Sequence, residues 1–307
     1  MVRTKQPPRG PSKPVVPKTQ RPLNGLFVLA FAGLFALSTW LMRVETVVKG
    51  VPVDFHVVLE EGRFGNGIPV ETSYTGIKAV DEIAKFLVIA FLEGTAGWDV
   101  GVHAQQAYFA RMLIGAAVIA PLYYLAYVVA SRKDGYYFQG RELSTGHAAS
   151  LLPALIIGYL IPTIAMCYPW GDVKTAQYLT AFWQPAPIFA SVLVSIFSFL
   201  VPSSPTSVAK NGDVKHLKRV YLITGLVTTV AHVGTLYACL TSDDPRLSLS
   251  YVFLPNRATW KDSMGLGLHY IFQVDFFGAF GSTLFWCWLA VYDVLRMTWE
   301  TYCDRLN

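Results

Sequence analysis

Charge is what this sequence has least of. Only 15% of its 307 residues are Asp, Glu, Lys or Arg, where soluble domains carry about 25%. That scarcity excludes an ordinary water-soluble domain. The net charge is +5, and much of the excess sits in the first 22 residues beside an apolar run. A basic tail so placed reads as a cytosolic membrane anchor and gives no basis for nucleic-acid binding. Cysteine is also sparse. Cys167, Cys239, Cys287 and Cys303 are widely separated, and no CxxC or Cys/His spacing supports a metal site or a disulfide framework. No long polar linker divides the chain, so one domain over 23–300 is expected behind a disordered tail, 1–22. No inverted repeat of the transporter kind is visible.

Apolar length is abundant. Hydrophobic residues make up 53% of the chain, and the mean hydropathy is +0.40. The pattern predicts an all-α, polytopic transmembrane helical bundle of about seven helices, multi-pass in the lipid bilayer. The segments are Leu23–Met42, Val80–Gly94, Gln105–Ala130, His147–Cys167, Ala176–Val201, Val220–Leu240 and Gly265–Asp293. Pro185 and Pro187 should kink or split the fifth. Residues 44–80, with short β-like alternation, read as an extramembrane loop. The 80–94 segment is anomalous, because its uncharged core, Phe86–Leu92, is far shorter than a span requires. It is either a span with a charged first turn or a re-entrant helix. With seven spans the tail lies opposite the basic loops at 132–141 and 210–219. With 80–94 re-entrant, all three share one side, as the positive-inside rule prefers. Seven spans are the favoured reading here, since a charged first turn can sit at the interface.

Asp275, a third of the way into the last apolar run, is the residue most in need of explanation. A carboxyl group facing lipid costs several kcal/mol, so it should face the protein interior. It shares a helical face with Ile271, Phe272, Gly278, Ala279 and Ser282, which are mostly small and admit a neighbouring helix. A buried neutral carboxylic acid is a competent proton donor; a structural hydrogen-bonded acid is the plain alternative. Glu93 follows seven apolar residues and is the second candidate acid. Lys85 is placed to pair with Asp81 or Glu82, and Arg296 with Asp293. Asp99, in the turn containing Trp98, reads as a helix cap or a site residue. His232 stands alone in its helix, while His269 and Gln273 are spaced i, i+4 and can orient one another. The 241–264 loop, dense in Asp, Pro, Arg and aromatics, reads as a polar lid with internal salt bridges. Its Asp243-Asp244 pair is too short for an aspartate-rich diphosphate–magnesium site. No metal or cofactor is expected.

The stretches FLVIAFLEGTAGWDVGVHAQQAYF and LTSDDPRLSLSYVFLPNRATW, the span containing QPAPI and the acidic aromatic last helix resemble fungal integral-membrane terpene cyclases of the ascochlorin and macrophorin pathway type. The resemblance covers most of the chain after residue 76. It implies cyclisation of a farnesyl chain on an aromatic or polyketide head group in meroterpenoid biosynthesis. Protonation of a terminal epoxide or olefin would start it, without metal or diphosphate loss. Glu93 and Asp275 match the membrane-embedded acids that such enzymes use. The partner is then a hydrophobic prenylated small molecule, and the location a membrane such as the endoplasmic reticulum. Trp98, Asp99, His232, His269, Phe272 and Gln273 are the expected substrate contacts. A sterol-isomerase-like enzyme, a transporter and a non-catalytic membrane scaffold are the competing readings. Asp275 and Glu93 lying apart would favour the scaffold.

Overall fold

The computed structural model describes residues 21–95, 116–133, 136, 142–201 and 211–306. These are helical, with no β-strand among the described residues and one isolated bridge, Arg63–Pro69. The helices are α1 (Asn24–Lys49), α2 (Phe55–Glu61), α3 (Lys78–Thr95), α4 (Ala116–Ala130), α5 (Thr145–Cys167), α6 (Val173–Trp183), α7 (Ala186–Leu200), α8 (Val214–Thr241), α9 (Leu249–Phe253) and α10 (Met264–Leu306).

Four of them, α1, α5, α8 and α10, are long and apolar enough to cross a membrane, and the bent α6–α7 pair makes a fifth if counted as one span. The expected count of seven is therefore not reached among the described residues. α4 contributes 15 apolar residues. α3 is 18 residues long, but beyond the exposed Phe86 its apolar core does not face outward. Val88, Ile89, Ala90, Phe91 and Leu92 are all buried, against Met166, Trp183, Met264 and Leu268. The α6–α7 break is where the prolines put it: Pro185 cannot donate a helical hydrogen bond, and the two halves meet at 53°. Residues 44–49 continue α1 and 78–80 open α3, while the stretch between holds α2 and turns, not strands. Gln177 of α6 fixes this region, donating to Pro69 O at 3.0 Å and accepting from Glu71 N at 2.8 Å.

Glycines set the closest helix approaches. A Cβ on Gly158 would lie 2.7 Å from Ala190 N of α7, and one on Gly278 would lie 2.4 Å from Ala117 Cβ of α4. The first contact falls in a π-turn of α5, Ile156–Leu160. The second brings α10 onto α4 and α1, where Ser38 is also adjacent.

One end of the bundle is marked by two polar ties. Arg21 lies just ahead of α1, inside the stretch expected to be tail, and is buried. It pairs with buried Asp293, in the last third of α10, and donates to Ser131 just after α4 at 2.9 Å and to Asn24 at 2.8 Å. The partner expected for Asp293, Arg296, is thus joined or displaced by an arginine 272 residues away. Ahead of α8, Asp213 accepts from Leu143 N, ahead of α5, at 3.0 Å. The start of α1, the end of α4 and the last third of α10 therefore meet, as do the starts of α5 and α8. The opposite end is a cap built from α2, α3, α6, α9 and the loops between them.

Candidate functional site

The first third of α10 runs from this cap into the bundle, and its sides carry three different groups. On one side, Asp275 is 1% exposed. Its Oδ1 accepts from the backbone N–H of Ala117 on α4 at 2.8 Å. With Gly278 and Ala279 beside it, the α1–α4–α10 contact closes over the carboxyl group, as its small-residue face predicts.

Glu93 belongs to the cap. Its carbonyl oxygen lies against Gly265 at the start of α10, and its Oε1 accepts from Gly65 N at 2.9 Å. Burial pushes the Glu93 carboxyl above its usual range, and the Gly65 N–H pulls the other way. Gly265 and Asp275 are ten positions apart, or about 15 Å along a helix at 1.5 Å per residue. The two acids hold different partners on different elements.

The third side faces a cavity of about 430 Å³ beneath the 245–259 loop. His269 and Gln273 form its floor, with Tyr251, Leu254, Asn256 and Leu266 among its walls. The i, i+4 residues do meet, with Gln273 Nε2 3.1 Å from His269 Nε2, but side by side as two donors to a shared acceptor. Both nitrogens converge on Tyr251 O, at 2.6 and 2.8 Å. A carbonyl oxygen only accepts, so both nitrogens donate. This places a proton on His269 Nε2 and orients the Gln273 amide. His269 also stacks on the Tyr251 ring, centroids 4.8 Å apart. Neither Asp275 nor Glu93 lines this cavity.

Phe272 is buried against Phe91 of α3, centroids 6.4 Å apart, and belongs to the α3–α10 core. His232 of α8 is exposed and meets Phe253, whose other ring neighbour is Phe276 of α10. Trp98 and Asp99 lie outside the described residues. Among the described residues no group of three His, Cys, Asp or Glu side chains is placed to hold a metal ion. In the lid, Asp244 pairs with Arg246 at 2.9 Å, which is the expected internal salt bridge. Arg257 ties the lid to the rest, donating to Glu45 of α1 at 2.8 Å and to the Tyr270 hydroxyl at 3.1 Å.

Sequence reasoning missed Tyr251, whose backbone carbonyl organises the cavity floor. The i, i+4 signal named His269 and Gln273, but nothing in the sequence names a carbonyl acceptor. It also assigned Lys85 to Asp81 or Glu82. Instead Lys85 donates to Leu59 O at 2.6 Å, and Asp81 accepts from Tyr74 N, Thr75 N, Thr75 Oγ1 and Gly76 N at 2.7–3.1 Å.

No solved structure matches the chain. Terpene cyclase ascI of Acremonium egyptiacum is 23% identical over 245 residues, covering 67% of this chain and 64% of ascI. The FAD-dependent monooxygenase verC1 of Penicillium polonicum is 26% identical over 204 residues, covering 62% of this chain but 24% of that protein. The chain thus spans less than two thirds of either relative. The match to ascI bears out the resemblance to fungal terpene cyclases read from the sequence. The CtvD-domain model matches residues 108–305, most of the chain, and the protein belongs to the CtvD-domain family.

Proposed function

We propose that this protein is a membrane-bound, class II-type terpene cyclase that closes a farnesyl chain carried on a meroterpenoid precursor. The observation that carries the reading is Asp275, a buried carboxyl group within an apolar, aromatic helix. The similarity to ascI supports the same class of chemistry.

The reaction needs one proton delivered and one removed. An acid protonates the terminal epoxide oxygen, whose C–O bond breaks to leave a hydroxyl group and a carbocation. The π electrons of the chain then form the ring bonds, and the last cation loses a proton. The change is an isomerisation, balanced without an external oxidant or reductant. A backbone N–H on Oδ1 of Asp275 makes that oxygen the acceptor, which suits Oδ2 to carry the proton of a neutral acid. Glu93, held against Gly265 ten residues ahead of Asp275, is the second acid.

Asp275→Asn keeps an acceptor for Ala117 N but removes the acid. In microsomes supplied with a farnesylated phenol epoxide or its olefin, this variant should lose turnover by at least about a hundredfold. Mass spectrometry of the products gives the rate, and immunoblotting should show near-normal protein levels. The separate housing of Asp275 and Glu93 is the feature that favours a non-catalytic scaffold. Full activity in Asp275→Asn would remove Asp275 as the acid, and no cyclised product from the native protein would support the scaffold. Activity lost on chelation and restored by Mg²⁺ would argue for diphosphate ionisation.

A further inference from the structure

The first two turns of α8 carry an unbalanced charge. Lys215, Lys218 and Arg219 stand at i, i+3 and i+4, so they share one helical face, and all three are exposed. Among the described residues none of their side chains makes an ion pair or a hydrogen bond. The surrounding sequence is poor in acids. Between residues 143 and 242 the chain holds two carboxylates, Asp172 and Asp213. Asp172 caps α6, accepting from Lys174 N and Thr175 N. Asp213 is buried and accepts from Leu143 N at 3.0 Å. Glu142, beside that contact, is exposed and pairs with none of the three. The N-terminal end of a helix is itself the positive pole of the macrodipole, so α8 adds to the excess.

Below the cations the same face continues as apolar surface. Leu222, Leu226 and Val230 follow them down the helix and are exposed. α8 packs through its opposite face, where Thr235 and Cys239 are buried. Val220–Leu240 covers about 30 Å at 1.5 Å per residue, the depth of a bilayer's hydrocarbon core. Arg219 therefore stands where that core gives way to headgroups. We propose that Lys215, Lys218 and Arg219 bind the headgroup of an anionic phospholipid, whose acyl chains lie along Leu222, Leu226 and Val230. A zwitterionic headgroup carries its own ammonium group and leaves the cations unbalanced. A second copy of this chain, related by a twofold axis normal to the membrane, would set like charges against each other on this face. The assignment rests on the membrane reading of the bundle and is independent of the cyclisation.

The test is lipid retention by the purified full-length protein, taken from nanodiscs of phosphatidylcholine with a minority of phosphatidylserine. Re-extraction in detergent and mass spectrometry count the lipid that stays bound. One Lys or Arg beside an anionic surface is worth about fivefold in affinity. The native protein should therefore enrich phosphatidylserine at least about tenfold over its share of the bilayer. Lys215→Gln/Lys218→Gln/Arg219→Gln should lose most of that enrichment. Lys49→Gln/Lys78→Gln/Lys261→Gln removes three exposed charges elsewhere and should keep it. Thermal unfolding midpoints establish that both variants are folded. Equal loss in the two variants would reduce the effect to net charge and overturn the site. So would displacement of the lipid by inorganic phosphate, which would mark a free-anion site. Cross-linking between copies through Leu226→Cys, in a background without the native cysteines, would give the face to a second chain and overturn it as well. Release of the protein from microsomes by alkaline carbonate would refute the membrane reading and this site with it. Retention in the membrane without phosphatidylserine enrichment would refute the site alone. Enrichment by a native protein that cyclises nothing would uphold the site and refute the cyclase.

Discussion

Arg21 and Asp293 are both buried, and the pairing of two opposite charges is what makes their burial tolerable. Removing one partner leaves the other charge in a dry setting, at a cost of about 3–5 kcal/mol. Arg21→Met should therefore lower the thermal midpoint in detergent sharply, and the double variant Arg21→Met/Asp293→Leu should recover most of the loss. A single variant as stable as the native protein would show that the pair does not hold the helix ends together. Asp81 gives a different test. Burial pushes its carboxyl up, but donors from Thr75, Tyr74 and Gly76 outweigh this and hold it below its usual range. A carboxyl depressed in the folded state adds stability above its unfolded pKa of about 4, and that stability is lost as pH falls through the folded value. The stability gap between the native protein and Asp81→Asn should be constant above about pH 5 and shrink below about pH 4; a gap independent of pH would exclude the carboxylate as its source. These residues also show what a sequence can reveal. His269 and Gln273 were legible because four residues separate them on one helix. The same rule misassigned Lys85, because it sees neither the Leu59 carbonyl nor the N–H groups of 74–76. It could not find Arg21 for Asp293, since 272 residues of chain intervene.

At the scale of helices, two glycine contacts differ in kind. On Gly278 the atom nearest a new Cβ would be the Ala117 side chain; on Gly158 it would be the Ala190 backbone. Gly278→Ala should destabilise the α1–α4–α10 packing by about 1–3 kcal/mol, and Ala117→Gly should relieve part of it, since Ser38 Oγ would still lie 2.9 Å from the new Cβ. Gly158→Ala has no such remedy, because trimming a side chain does not move a backbone nitrogen. Thermal midpoints of the single and double variants check both statements, and failure of Ala117→Gly to rescue Gly278→Ala would disprove the side-chain account. The small-residue face around Asp275 was legible because small residues at helical spacing can do little besides admit another helix. The α6–α7 break was legible because proline acts locally. The role of α3 was not. Its apolar core could face lipid or protein, and only the positions of α5, α6 and α10 decide that Val88–Leu92 are buried.

At the scale of the whole molecule, the polar ties at one end bear on the order of membrane crossings. Arg21 touches Ser131, so the chain returns by the end of α4 to the end where α1 begins. Leu143 touches Asp213, so it returns again by the start of α8. If the bundle crosses a membrane, these ties make the number of crossings even between Arg21 and Ser131, and even between Leu143 and Asp213. Among the two sequence-level alternatives, this geometry favours a re-entrant or cap-bound 80–94 segment over seven full spans. It also satisfies the preference for Lys and Arg on the cytosolic side. Loop charge alone could not decide, because one ambiguous helix reverses the parity of everything after it. If the bundle is embedded in this way, Lys133 and Lys215 share one side of the membrane, while Asn66 and Asn256, on the cap, share the other. Single cysteines at these four positions, in a background without the native cysteines, should divide accordingly. In sealed, right-side-out microsomes an impermeant maleimide should label positions 133 and 215 and reach positions 66 and 256 only after detergent is added. Labelling of positions 133 and 66 from the same side would break the even count between α1 and α4. The cavity floored by His269 and Gln273 would then have to be assigned to the opposite face of the membrane.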